Sequence, residues 1–327
     1  MAKAKKPRKH QAPNKQRGVQ KKKQRKQHKD QNKPKPSTIT THSKTAAGSR
    51  PSCNVDVADP VLWLSDKAGV KSWLAQFDVR KMLDAEKGLV CIHDFLPESV
   101  AARVLERVGA MHASDYERAL SSKEDTVQHS FSLAEPAGSG DPVLEGVAKL
   151  LWWMLPDTTP NFSVGRYGPD DHISPHDDKV LETYTKSEYQ AMMAPYLGVQ
   201  PSQVPLLPGH AQSRQVVFSR EVACVYYLNK NWTEANGGLF IDLEADKPYL
   251  PTFNTLVMFR VPRMHGVTPV IGNKKGNIRN RFSIFGWWLL EGKLYKEEDE
   301  YSSDDEAIDA RSKGSSRSGK QGNPRRH

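Results

Sequence analysis

Within SVGRYGPDDHISPHDDK, residues 163–179, the triplet His176-Asp177-Asp178 places an imidazole two residues from a carboxylate. On an extended strand, side chains at i and i+2 lie on one side, so His176 and Asp178 can converge on one point. Such a pair is two thirds of a 2-His-1-carboxylate set, which holds non-heme Fe(II) on one face and leaves positions open. The third ligand must come from a distant strand, and VPRMHGVTPV offers His265; the following RFSIFGWW offers a cation, Arg281. Taken alone, an HDD triplet is commonly a solvated polar turn. The elements around it decide.

Residues 60–87 carry Val61, Leu64, Val70, Trp73, Leu74 and Phe77 at helical spacing and predict one or two short helices. Leu89–Ile92 reads as a strand, 94–97 as a turn, and 98–111 as a helix with Val100, Val104, Leu105 and Val108 on one face. Residues 120–141 are polar and end in a loop, AEPAGSGDP; Asp141-Pro142 then opens a helix running to Met154. Residues 161–178 read as strand, Gly-Pro turn and strand, which puts HDD at a strand end. The next connection, 180–213, is long enough to be a lid or an insertion, with a helical piece at 187–197. From Gln215 strand signals crowd: 216–218, 222–228, 239–243, 255–260, 266–271 and 282–290, with Gly237-Gly238 as a tight bend. Helices first and many short strands after predict an α+β chain whose helices pack on one face of a β-barrel.

Charge divides the chain further. The whole carries +10 and its first 50 residues +16, with 17 Lys/Arg against Asp30, so the remainder carries −6. The basic segment has almost no bulky apolar residues and cannot offset its ordering entropy, so 1–54 is expected to be a disordered tail. Runs such as KKKQRKQHK suit a nuclear or nucleolar address, or electrostatic contact with RNA or another anionic partner through residues 1–50. A plain solvated tail in a cytoplasmic protein is the alternative. Residues 291–327 swing from acidic to basic and also lack a core; Ser302 and Ser303 precede acids in a context that acidophilic kinases favour. The three cysteines, Cys53, Cys91 and Cys224, form no disulfide framework or metal knuckle. No apolar run approaches membrane-spanning length, so no membrane partner is expected.

In order, the chain presents Tyr167, His176-x-Asp178, Tyr226-Tyr227-Leu228-Asn229, Trp232, Gly237-Gly238, His265 in HGVTPV and Arg281 in RFSIFGWW. This order resembles the prolyl-hydroxylase branch of the 2-oxoglutarate and Fe(II)-dependent oxygenases, over roughly residues 89–290. The resemblance implies a double-stranded β-helix (jelly-roll) barrel, with an oxygenase domain at 55–290. That domain divides into a helical lead-in 55–160, a barrel core 161–290 and the insertion 180–213, here a lid. It implies Fe(II) held by His176, Asp178 and His265, and 2-oxoglutarate anchored by Arg281 with help from the Tyr167 hydroxyl; ascorbate is a further cofactor it allows. It also implies hydroxylation of a protein side chain, proline foremost, with release of succinate and CO2.

Two departures bear on these implications. Sixteen positions separate His265 from Arg281, a longer interval than the family usually shows, and Lys275 competes as the anchor. Arg281 is preferred because RFSIFGWW reads as a strand, while IGNKKGNIRN reads as an enlarged hairpin. The details look most like ribosomal-protein prolyl hydroxylases, but there is no room for the second, degenerate barrel these often carry. Phe285 and Trp287 replace the Thr and Arg that base-demethylating relatives show, which argues against base repair. The alternatives are a non-catalytic nuclear or nucleolar scaffold using the basic tail, and an oxygenase of small molecules or nucleic acid.

Overall fold

The computed structural model describes residues 57–209, 213–272 and 279–295. The expectations for residues 1–54, for the tail beyond 295, and for Lys275, Ser302 and Ser303 lie outside the described residues. Three short helices come first: α1 (Pro60–Ser65), α2 (Lys67–Leu74) and α3 (Val79–Ala85). Three rather than two form because Asp59, Asp66 and Asp78 each accept first-turn amides; Asp66 closes α1 and starts α2. Strand β1 (Leu89–Ile92) and helix α4 (Glu98–Gly109) follow, then β2 (Glu117–Leu120) and β3 (His129–Ala134). This hairpin was not expected in the polar stretch 120–141, while AEPAGSGDP forms the expected loop between β3 and the next helix. Only Phe131 and Ala134 of β3 are buried, so its apolar content is too low to stand out.

Helix α5 (Pro142–Met154) begins as expected, with the Asp141 side chain on the Val143 and Leu144 amides and Pro142 in the first turn. Next come β4 (Thr159–Tyr167), β5 (His172–His176), β6 (Leu181–Thr185), α6 (Lys186–Leu197) and β7 (Gln215–Tyr227), one continuous strand where two were expected. The chain then forms β8 (Phe240–Asp242), β9 (Lys247–Tyr249), β10 (Thr255–Arg260), β11 (His265–Val267) and β12 (Arg281–Glu291). The segment after Val180 is not a free lid. Its β6 pairs with β7 from Leu181↔Ser219 to Thr185↔Gln215, and Tyr189 of α6 stacks on Phe218.

All pairings are antiparallel, in the order β1-β10-β7-β12-β4-β3-β5-β11-β8-β9, with β2 on β3 and β6 on β7. This curled sheet with helices on one face is the expected α+β double-stranded β-helix. Alternation divides its strands between two cores. Val222, Cys224 and Tyr226 of β7 and Ile284 and Trp288 of β12 pack with the helices; Ala223 and Tyr227 of β7 face the other way. Trp288 is fully buried and donates its indole N–H to the Leu151 carbonyl of α5 at 3.1 Å, tying helix to sheet. At Gly286 the strands approach so closely that a Cβ would meet the Asn161 carbonyl oxygen at 2.0 Å. No helix among the described residues is long and apolar enough to cross a membrane.

Candidate active site

His176, Asp178 and His265 come together: one ligand atom from each lies within 4.8 Å of the others. His176 Nε2 is 3.3 Å from Asp178 Oδ1, His265 Nε2 is 3.6 Å from Oδ2, and the two ring centroids are 4.2 Å apart. The two histidines face each other because His265 opens β11 directly opposite His176 at the end of β5. Asp178 arrives by a different route from the alternation expected of a strand. Strand β5 ends at His176, and Asp178 sits in a turn with φ 60°, a left-handed conformation that Asp tolerates better than most residues. Asp177 holds that turn: its carboxylate accepts the Lys179 amide at 3.0 Å, and its carbonyl accepts the Arg263 amide at 3.3 Å.

Each imidazole is oriented by its other nitrogen. His176 Nδ1 donates to the Ser174 carbonyl at 2.9 Å and His265 Nδ1 to the Arg263 carbonyl at 2.8 Å, which turns both Nε2 atoms inward. Burial alone would raise Asp178, but the His176 hydrogen bond and the charges of His265, His176 and Arg220 hold it at about 2. Burial opposes a charged His176, yet Asp178 raises it; at His265 burial prevails and lowers it. The site thus joins an ionised carboxylate to two imidazoles in a mostly desolvated position, the donor set that a divalent transition metal takes. Behind His265, Arg263 grips the fully buried Asp242 through Nε at 3.0 Å and an Nη at 2.8 Å. The rings of Phe240 and Phe259 pack on His265 at 5.2 and 4.5 Å.

Arg281 opens β12 opposite Tyr167, and only 1% of it is exposed. Its guanidinium lies 4.6 Å from the Tyr167 ring and 5.0 Å from the Tyr227 ring. Burial pushes the Tyr167 phenol up to about 12, although Arg281 beside it pulls the other way. Gly238, at φ 64°, makes room for the arginine stem, since a Cβ there would stand 2.8 Å from Arg281 Cδ. Three buried polar atoms here have no partner among the described residues, Arg281 Nε, Tyr227 Oη and Ser283 Oγ; Trp287 Nε1, further along β12 beside Arg220, is a fourth. A buried cation surrounded by unsatisfied donors calls for an anionic acceptor such as a carboxylate. These residues therefore fit 2-oxoglutarate, with Arg281 as the cation.

Arg220 is a cavity-lining side chain that sequence reasoning missed. Strand β12 sends Arg281, Ser283, Phe285 and Trp287 toward the site, and β7 sets Tyr227, Val225 and Ala223 opposite the last three of these. Continued alternation would next bring Glu221 to that face. Instead the register shifts: Val222 pairs with Trp288 and Arg220 with Leu289, leaving Glu221 as an extra residue. This bulge re-aims Arg220 into the site. There its guanidinium stacks on Trp287 at 3.6 Å, donates from Nε to Glu182 at 2.8 Å, and sets an Nη 3.6 Å from Asp178 Oδ1. Nothing in SREVACVYYLN announces a bulge. Tyr227 stood in a noted motif without a role; alternation from Tyr226, which packs with the helices, could have assigned it to the site.

His176, Asp178, His265, Arg220, Arg281, Tyr167 and Ser283 line one cavity of about 440 Å³, with Tyr227 buried beside Arg281. Its outer wall is aromatic: His129 and Phe131 from β3, Phe285 and Trp287 from β12. Phe131 stacks on Tyr167 at 5.1 Å and meets Phe285 edge-on at 5.7 Å.

Comparison with known proteins agrees with this arrangement. Residues 162–289 match the family described as the 2OG-Fe(II) oxygenase superfamily, a span that contains all three candidate metal ligands and Arg281. No curated protein sequence matches the chain. Among solved structures, a Pseudomonas putida prolyl-4-hydroxylase is similar at 16% identity and a TM-score of 0.41, covering 68% of this chain and 100% of that one. A Trichoplax adhaerens prolyl hydroxylase, solved with a hypoxia inducible factor oxygen degradation domain peptide fragment, gives 17% and 0.43, covering 68% and 90%. An alpha-ketoglutarate-dependent epimerase from nogalamycin biosynthesis, SnoN, gives 10% and 0.38, covering 68% and 83%. At these values the likeness says nothing of substrate.

Proposed function

We propose that the 2OG-Fe(II) oxygenase domain at residues 162–289 hydroxylates a protein side chain, with proline the foremost candidate. One observation carries the reading: a candidate three-ligand metal set and a buried cation whose Nε has no partner among the described residues open into the same aromatic-walled cavity. His176, Asp178 and His265 would hold Fe(II), and Arg281 with Tyr227 and Ser283 would hold the far carboxylate of 2-oxoglutarate. When bound, these cofactors supply the oxidising chemistry, with release of succinate and CO2.

The chain's own part is positional. Carbonyls fix both imidazole tautomers, Arg220 holds the Asp178 carboxylate from one side, and Arg281 orients an anion in a desolvated pocket. His129, Phe131, Phe285 and Trp287 exclude water and offer an apolar surface to a small ring. The +16 charge of residues 1–50 supports an accompanying role in nuclear or nucleolar addressing and in salt-sensitive RNA contact. The test is succinate release from the purified chain with proline-containing peptides, ribosomal sequences among them, beside nucleotide and RNA arms. Peptide-stimulated turnover with one oxygen atom added at proline supports the proposal. Stimulation by nucleotides alone would replace the substrate class, and no turnover with any arm would remove the enzymatic reading.

A further inference from the structure

The β6–β7 ladder stops at Leu181↔Ser219. One step further, Val180 would pair with Arg220, and at that place the Tyr295 hydroxyl takes over the backbone groups. It accepts the Val180 amide at 3.0 Å and the Arg220 amide at 3.2 Å, and donates to the Val180 carbonyl at 2.5 Å. A phenol has one donor and two acceptor lone pairs, so its whole hydrogen-bonding capacity is spent on these two residues.

The segment carrying Tyr295 is tied down just before it. Gly292 donates its amide to the Val217 carbonyl at 2.8 Å, Ser219 Oγ donates to the Gly292 carbonyl at 2.6 Å, and the Leu294 amide donates back to Ser219 Oγ at 2.8 Å. Residues 292–295 thus form a strap across β7.

What the strap holds is one wall of the candidate metal site. Val180 follows Asp178 by two residues, and Asp178 is a turn residue in a left-handed conformation with no strand of its own to fix it. Arg220 is the cation beside the same carboxylate. One hydroxyl therefore joins the backbone of the ligand loop to the backbone of the residue whose guanidinium faces that ligand.

We infer that Tyr295 is a positioning residue for metal binding: its hydroxyl latches the Asp178–Val180 turn to Arg220 and holds the Asp178 carboxylate toward the two histidines. The inference rests on the metal-site reading above and goes beyond it, because Tyr295 touches neither a ligand atom nor the cavity. The inward carboxylate depends on a loop that would otherwise have its Val180 amide and carbonyl free to turn to water. Outer contacts made directly to a ligand typically change metal affinity by about 10- to 100-fold; Tyr295 acts through one further residue, which favours the lower end of that range.

The experiment uses the full chain and Co(II), titrated anaerobically and read in the visible absorption bands. Tyr295→Phe keeps the ring and removes the hydroxyl; it should weaken Co(II) binding by about tenfold or more with little change in Tm. Amide exchange at Val180 and Arg220 should quicken while that of Val225–Tyr227 stays unchanged. A purely structural strap would lower Tm and leave the affinity of the folded protein and its Co(II) spectrum as they were. Co(II) affinity within about twofold of the parent, on the same outer-contact scale, overturns the inference. Should Tyr295→Phe fail to fold, Ser219→Ala, which releases the strap at its other tether, decides in the same way. His176→Ala runs in parallel: if it still binds Co(II), the metal assignment itself falls. If it loses Co(II) while Tyr295→Phe retains it, only the latch falls.

Discussion

Arg281→Gln separates a binding cation from a structural one, because the two roles predict opposite signs in the ligand-free protein. Arg281 is a buried charge with no carboxylate partner among the described residues; its compensation is two aromatic faces at 4.6 and 5.0 Å. Each such contact contributes about 0.5–2 kcal/mol, whereas an incompletely paired buried ion costs several kcal/mol in desolvation. Neutralising it should therefore leave the Tm of the ligand-free protein unchanged or raise it. Binding should respond the other way. Removing one partner of a desolvated, hydrogen-bonded charge pair costs about 2–5 kcal/mol, or roughly 30- to 5,000-fold in affinity. Tyr227 and Ser283 remain as donors, which favours the lower part of that range, near 100-fold.

The assay is thermal unfolding with Mn(II) present, without and with 2-oxoglutarate at about 100 times the parent Kd. The parent should gain about 2.7 kcal/mol; a variant binding about 100-fold more weakly gains only about 0.4 kcal/mol at that concentration, so its ligand-induced shift nearly vanishes. If Arg281→Gln lost several degrees of ligand-free Tm and kept the full shift, the anion-binding argument would be wrong. Loss of the shift in Lys275→Gln instead would move the anchor to the hairpin.

Three further outcomes are expected. Asp242→Asn removes the buried charge partner of Arg263 and leaves it the Glu244 carboxylate at 3.4 Å and the Lys87 carbonyl at 3.1 Å, so the loss should fall below the about 3–5 kcal/mol of a fully unpaired buried ion and denaturant unfolding would register it; because the Arg263 carbonyl orients His265, divalent-metal affinity should fall with it. At Asp171, burial raises the carboxyl but the Arg118 and Ser130 hydrogen bonds hold it below its ordinary value, so its stabilisation is present above about pH 4 and is lost as pH falls through the folded value; Asp171→Asn should flatten the Tm-versus-pH profile below pH 4 and leave it parallel above. Removing residues 1–54 should preserve turnover of a short substrate, since no site residue lies upstream, while salt-sensitive RNA binding and nuclear enrichment are lost; an unchanged RNA salt slope would end the electrostatic role proposed for the tail.

The parts of this molecule legible in its sequence are those in which one residue type has few other uses. His176, Asp178, His265 and Arg281 stood out by type and order, and the structure brings the first three within reach of one another and buries the fourth in the same cavity. Helix α5 was legible because Asp141-Pro142 caps a dense apolar run. What escaped depends on backbone count or weak patterning. Strand β3 contributes His129 and Phe131 to the wall, but HSFSLA, with only two buried residues, reads as part of a polar stretch. The approach of Asp178 was misread because i, i+2 spacing gives the same expectation for a strand and for a left-handed turn beyond its end. The 180–213 connection looked like a lid because β6 is short and draws its stability from β7, a partner far along the chain.

The extra residue in β7 makes this site unusually sensitive to chain length along one strand. Glu221 itself reaches outward to Arg80 at 3.0 Å, and its carbonyl accepts the Val261 amide at 3.0 Å, so many residues could stand in its place. A deletion there has a different consequence from any replacement. With Glu221 gone, the strand would run in unbroken register, and every side chain from Gln215 to Arg220 would exchange faces relative to Tyr227. Phe218 would leave Tyr189, and Arg220 would turn away from Trp287 and Asp178, with every candidate metal ligand and the proposed 2-oxoglutarate anchor still present in the sequence. Position 221 thus encodes a spacing rather than a chemistry. A single-codon deletion anywhere from Glu221 to Tyr226 would move Arg220 by the same one place relative to Tyr227, so a deletion series along β7 should show low activity across that whole stretch, whereas substitutions of Glu221 keep the spacing.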